Sequence, residues 1–88
     1  MKNLQINRYV DAIARTGSIR KASEQLSITP SALNRRILAL EEELDIEIFE
    51  RHPKGMRLNN AGKLLIELFR NQLADVAHVQ SQLAELSD

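Results

Sequence analysis

Eighty-eight residues suffice for one domain with a single modest core. The chain has no Cys, which excludes disulfides and thiolate metal sites, and no apolar run of membrane-spanning or export-signal length, so a cytoplasmic protein is expected. Its twelve basic and twelve acidic residues cancel, yet residues 1–40 hold seven Lys/Arg against Asp11 and Glu24, and residues 41–88 hold five against ten acids. Binding follows the local field rather than the summed charge, so overall neutrality leaves a polyanion partner open.

A first helix is predicted over residues 3–16, with Ile6, Tyr9, Val10 and Ile13 as its buried stripe and Gly17 as a left-handed stop. Ser18 then caps a second helix, SIRKASEQL, whose Ile19, Ala22 and Leu26 face inward; Lys21 stands where a capping box wants Glu. After a tight Ser27-Ile28 connection, Thr29 supplies an N-cap oxygen and Pro30 fits the first position of a third helix running to about Leu44. Leu33, Ile37, Leu40 and Leu44 form its apolar stripe, and Asp45 is its stop. IEIFER (46–51) alternates like a strand, HPKG (52–55) reads as a type I turn, and MRL (56–58) returns as a second strand. Asn59 or Asn60 caps a last helix reaching about Leu86, roughly 40 Å long. Ile66, Phe69, Leu73, Val76, Gln80 and Leu83 step by three and four along it; three short helices cannot bury a seam of that length, which therefore wants a partner.

Two short helices joined by a tight turn and followed by a hairpin are the parts of a winged helix-turn-helix. The fold class expected is mainly α: three short helices and a small β-hairpin wing over residues 1–58, then a long C-terminal helix over residues 59–88. In that motif the second helix of the pair enters the major groove of double-stranded DNA by its N-terminal residues. The third helix here is sorted accordingly. Thr29, Pro30, Ser31, Asn34 and Arg35 open it without an acid, and Glu41, Glu42 and Glu43 gather at its end. Arginine pairs with guanine, asparagine with adenine and serine with either, whereas carboxylates in the groove would be repelled by phosphate. Arg20 and Lys21 open the helix that crosses the backbone, and Arg51, Lys54 and Arg57 decorate the wing. About five phosphate contacts per copy would make affinity fall steeply with salt, by ~0.9 log units per contact.

Other readings carry less. The three aromatics, Tyr9, Phe49 and Phe69, do not make a base-stacking platform. The two histidines, His52 and His78, stand apart from any nucleophile or ligand set, so neither an enzyme nor a metal or other cofactor is expected. His52 reads as a solvated turn residue; the other reading is protonation that adds charge against DNA. The long helix is amphipathic, but its net acidic polar face disfavours a membrane. The rival to DNA binding is a winged-helix module that docks a protein through its long helix, although docking does not require the acid-free surface of Arg20, Lys21, Ser31, Asn34 and Arg35.

The stretch TGSIRKASEQLSITPSALNRRILALEEEL, followed by IFER and LNNAGK, resembles the N-terminal DNA-binding domain of LysR-type transcriptional regulators from about Leu4 into the long helix. The resemblance implies a linker helix that forms a homodimer, and a longer regulator of higher oligomeric state whose effector binds a domain absent from this chain. It places recognition at Thr29, Pro30, Ser31, Asn34, Arg35 and Leu38, and wing contacts at Arg51, Lys54 and Arg57. Four positions depart from the family pattern, the first three being Asn34 for the usual Ser, Asp45 for the usual Gly, and Asn59 for the usual capping Thr. Leu38 stands where a basic or polar residue is common and could meet a thymine methyl.

Overall fold

The computed structural model describes residues 4–87, in the order α1 (Gln5–Thr16), α2 (Ile19–Leu26), α3 (Pro30–Leu44), β1 (Phe49–His52), β2 (Gly55–Leu58) and α4 (Asn60–Leu86). Three helix starts are capped by side chains as the sequence dictates. Ser18 accepts from the Lys21 N–H and Thr29 from the Ala32 N–H, both at 3.1 Å; Asn59, not Asn60, accepts from the Gly62 N–H at 2.8 Å. Gly17, Ser27 and Asp45 end the first three helices in the left-handed conformation. Asp45 thus fills the role of the Gly it replaces, at a modest steric cost.

The two strands pair antiparallel, with Phe49 opposite Leu58 and His52 opposite Gly55, so Pro53 and Lys54 alone make the turn. Met56 N–H donates to the Gly17 carbonyl at 2.9 Å, which pins the wing to the α1–α2 corner. Gly55 has φ +147, and a Cβ there would lie 2.4 Å from that same carbonyl oxygen, so only glycine fits this close crossing.

One core joins all the elements: Val10 and Ile13 of α1, Ala22 of α2, Leu33 and Ile37 of α3, Ile48, Phe49 and Met56 of the hairpin, and Ile66 and Phe69 of α4. Three expectations are corrected by it. Ile66 and Phe69 are consumed inside the protomer, so they are not available to a dimer seam. Leu44 is exposed, and the third inward position of α3 is taken by Glu41, only 8% exposed. The first strand starts at Phe49 rather than Ile46, because the Ile48 N–H and the Glu47 carbonyl before it are taken by side chains instead of by β2. Glu41 Oε2 accepts from the Ile48 N–H at 2.7 Å and more weakly from the Phe49 N–H at 3.4 Å. From the other side, the Asn59 side chain donates to the Glu47 carbonyl at 2.8 Å and the Asn59 N–H donates to the Ile48 carbonyl at 3.0 Å. Gly62 lets α4 lie against this segment, since a Cβ on it would sit 2.1 Å from the Ile48 oxygen.

Polar contacts set the angle between α1 and α4. Asn7 Nδ2 donates to Gln72 Oε1 at 2.7 Å, and the Asp11 carboxylate bridges Arg70 at 2.8 Å and Arg15 at 2.9 Å. Partial burial pushes the Asp11 pKa up, but the hydrogen bonds and charges of Arg70 and Arg15 outweigh it and hold the pKa below that of an ordinary aspartate.

Two outcomes are expected. Glu41→Ala leaves the buried Ile48 N–H without its acceptor and should cost about 2–3 kcal/mol, read as a lower urea midpoint at unchanged slope; an unchanged midpoint would mean that solvent replaces the carboxylate. Because the Asp11 pKa is lowered by folding, its stabilisation is complete above the unfolded-state pKa and is lost as pH falls through the folded-state one. The melting-temperature gap between wild type and Asp11→Asn should therefore close on acidification; a gap that is constant with pH refutes this role.

Candidate nucleic-acid interface

The exposed face of α3 carries Ser31, Arg35, Leu38 and Glu42, each one turn on from the last, while Leu33 and Ile37 anchor the opposite face in the core. Basic and hydrogen-bonding groups therefore project at the N-terminal end of that face, and the acids follow further along. Thr29, Pro30 and Ser31 are all exposed at the helix start, where the Thr29 and Ser31 hydroxyls lie 3.4 Å apart. Arg35 is exposed and has no ion-pair partner among the described residues. Leu38, 48% exposed, stands on the same face.

Around this helix the expected cations divide. Lys21 and Lys54 project freely, with no acid paired to either among the described residues. Arg20 instead bonds Glu24 at 3.0 Å across one turn of α2; both are well exposed, so the pair is weak and exchangeable. Residues opposite one another across the hairpin share a face, and the register puts Arg51 with Met56 but Arg57 with Glu50. The two wing arginines thus leave opposite faces of the ribbon. Arg51 Nη1 reaches Asn34 Oδ1 on α3 at 2.8 Å, whereas Arg57 Nη2 lies 3.3 Å from His52 Nε2. An arginine can only donate, so the contact takes the tautomer in which His52 Nε2 is the acceptor. Beside the Met56–Gly17 contact, the wing and the α1–α2 corner together line an open cleft of about 650 Å³, which includes Thr16, His52, Lys54 and Arg57.

Sequence reasoning missed two features here. Arg36 is tied inward, bonding Gln5 at 3.1 Å with its guanidinium 5.8 Å from the centre of the Tyr9 ring. The direct link between Asn34 and the wing was also missed, because seventeen residues separate Asn34 from Arg51 and no local pattern encodes their meeting. The expected dimerisation seam falls into three parts: Ile66 and Phe69 are buried, Leu73 and Val76 are half-buried, and Gln80 and Leu83 are exposed.

A helix pair joined by a tight turn, with a hairpin wing and a sorted, basic face on the second helix, defines a helix-turn-helix class, and comparison with known proteins narrows it. The family of bacterial regulatory helix-turn-helix proteins called lysR matches residues 4–63, and the chain belongs to that family. It is 33% identical over 82 residues to the HTH-type transcriptional regulator y4mQ of Sinorhizobium fredii, an alignment covering 93% of this chain and 28% of y4mQ. It is 35% identical over 79 residues to the HTH-type transcriptional regulator ClcR of Pseudomonas putida, covering 88% of this chain and 27% of ClcR. The chain therefore spans little more than a quarter of the length of these relatives. Among solved structures, the complex of the BenM DBD with benA site 1 DNA superimposes with a TM-score of 0.90 at 28% identity, covering 97% of this chain and 96% of that one.

Proposed function

We infer that this chain is the double-stranded DNA-binding domain of a LysR-family transcriptional regulator. It inserts the N-terminal half of α3 into the major groove, lays the wing along the backbone, and acts as a dimer through α4. The observation that carries the reading is the sorted face of α3. Ser31, Asn34 and Arg35 form a cluster without an acid, which Arg51 reaches from the wing, and Lys21 on α2 and Lys54 on the wing are exposed cations without an ion pair among the described residues. Family membership and the likeness to a relative solved on DNA support it. Arg35 and Ser31 are assigned to base edges, with Thr29 and Pro30 at the helix start beside a phosphate and Leu38 against a thymine methyl. Arg20, Lys21, Lys54 and Arg57 are assigned to phosphates, Arg20 after exchanging Glu24 for the polyanion. Such a domain works in the cytoplasm on the nucleoid, and among the described residues no helix is long and apolar enough to cross a membrane. In the complete regulator, the effector would bind a further domain and assembly would go beyond the dimer.

The dimer is assigned to a second copy of this chain. Near its start α4 presents exposed Leu64 and Leu68 over an apolar groove of about 540 Å³ that is shared with Leu44 and Ile46. At its far end it presents Val79, Leu83 and Leu86, with Leu83 58% exposed. An antiparallel copy related by a two-fold axis sets the tip of each helix near the groove of the other, which buries both patches at once. Leu73, Val76 and Gln80 then lie along the middle of the contact.

Selection of bound duplexes from a random pool should yield a two-fold-related consensus. Against it, Arg35→Ala should lose about 1–3 kcal/mol of discrimination at one base position. Lys54→Ala should weaken all sequences alike and flatten the salt slope by about 0.9. Equal losses on consensus and scrambled DNA for both variants would defeat that division. By light scattering the wild type should be a dimer and Leu83→Asp a monomer; a wild-type monomer at tens of micromolar would reject the α4 interface.

A further inference from the structure

Asn34 on α3 is joined to a wing side chain, and the geometry of that joint bears on which base it reads. Its Oδ1 accepts from Arg51 Nη1 at 2.8 Å. A guanidinium has donors and no acceptor, so the amide can face Arg51 only with its oxygen, and its nitrogen must point elsewhere. Asn34 is half-buried where the α3 face meets the hairpin, and Arg51 is exposed beside it. Phe49, Met56 and Leu58 share Arg51's face of the ribbon, and the first two are buried in the core, so the root of the arginine is fixed.

Reading adenine by an asparagine needs one acceptor and one donor from the same amide: the oxygen for the N6 amino group and the nitrogen for N7. Here the oxygen already carries a charge-assisted bond, which is stronger than a neutral one, and a cation sits beside it. An adenine amino group arriving at that oxygen would compete with Arg51 and bring a second donor up to the first. The second lone pair of Oδ1 lies beside the Arg51 cation, which disfavours a further donor there, so what the joined pair offers outward is chiefly donors: the amide NH2 of Asn34 and the remaining N–H groups of Arg51.

We propose that Arg51 is a positioning residue that converts Asn34 into a donor-only reader, so that the base under Asn34 is chosen for its acceptors, guanine N7 and O6 or thymine O4, and adenine is rejected. The inference rests on the DNA-binding reading above and adds to it the base class at one position and the residue that imposes it. It also separates Arg51 from the other wing cations. Removing Lys54 or Arg57 lowers affinity for every sequence, whereas removing Arg51 in addition changes which sequence is preferred.

The test measures affinities for four duplexes that differ only at the position sensitive to Asn34→Ala, using wild type, Arg51→Met, Asn34→Ala and the double variant. Arg51 is an exposed wing residue, so Arg51→Met keeps the aliphatic stem and the fold, checked by circular dichroism, while removing the donors. The wild type should prefer guanine or thymine there. Arg51→Met should raise adenine relative to the wild-type base by about tenfold, the scale of one bidentate base contact, with preferences at all other positions unchanged. The double variant should match Asn34→Ala in preference, because Arg51 acts through the amide. A wild-type preference for adenine at that position would overturn the proposal, as would an Arg51→Met variant that loses the same factor on all four duplexes. Failure of the wild type to select any duplex would instead overturn the DNA-binding reading, and this inference with it.

Discussion

The orientation of the wing relative to the recognition helix depends on one buried carboxylate. Glu41, in the last turns of α3, accepts hydrogen bonds from the first backbone N–H groups of the hairpin, and Asn59, the cap of α4, holds the same segment from its other edge. Three elements thereby meet at residues 47–49. A carboxylate that accepts from backbone makes a shorter and stronger bond than a neutral side chain would, and its burial removes the competing water. The interaction is costly to break and indifferent to the surface charges nearby. It lets the exposed groups of α3 and the wing be chosen for DNA without affecting the packing.

The placement of basic groups follows from that separation. With the core and its polar clamp fixing the frame, the net charge of the chain can be zero while the opening turns of α3 carry no acid and the acid of the wing, Glu50, stands on the Arg57 face of the ribbon, away from Arg51. The acids are not scattered. Glu41 is structural, Glu42 and Glu43 lie along α3 beyond the groove, and Glu24 neutralises Arg20 across one helical turn. Such an arrangement concentrates attraction for a polyanion where the hydrogen-bonding side chains are.

Most of the fold was legible because its signals are local. The Ser18 and Thr29 caps, Pro30 at the first helical position, Gly17 and Asp45 as stops and the two-residue turn at Pro53 each lie within a few residues of what they specify, and the structure has them all. Glu41 was misread for the opposite reason. Three consecutive glutamates look like a solvated helix end, and only the arrival of Ile48 and Phe49 from seven and eight residues away gives one of them buried donors. The α4 seam was legible only as periodicity: its spacing located the apolar positions, but whether α1 or a second protein covers Ile66 and Phe69 is a matter of tertiary packing. In the candidate site, the free cations Lys21, Arg35 and Lys54 could be found from the chain alone. The engagement of Arg36 with Tyr9, and of Arg51 with Asn34, could not.

The first turns of α4 are fastened into the core, while the residues after Val76 have no fold of their own to lean on. Such a helix is a rigid arm whose bearing is Phe69 and whose stays are the Asn7–Gln72 and Asp11–Arg70 contacts. From Phe69 to Leu86 the arm is about 25 Å long, so a tilt of ten degrees at the bearing carries its tip about 4 Å. In a two-fold assembly that swing would be doubled across the axis. The distance between two recognition helices would then be set, like the opening of a pair of compasses, by a few polar side chains far from any base.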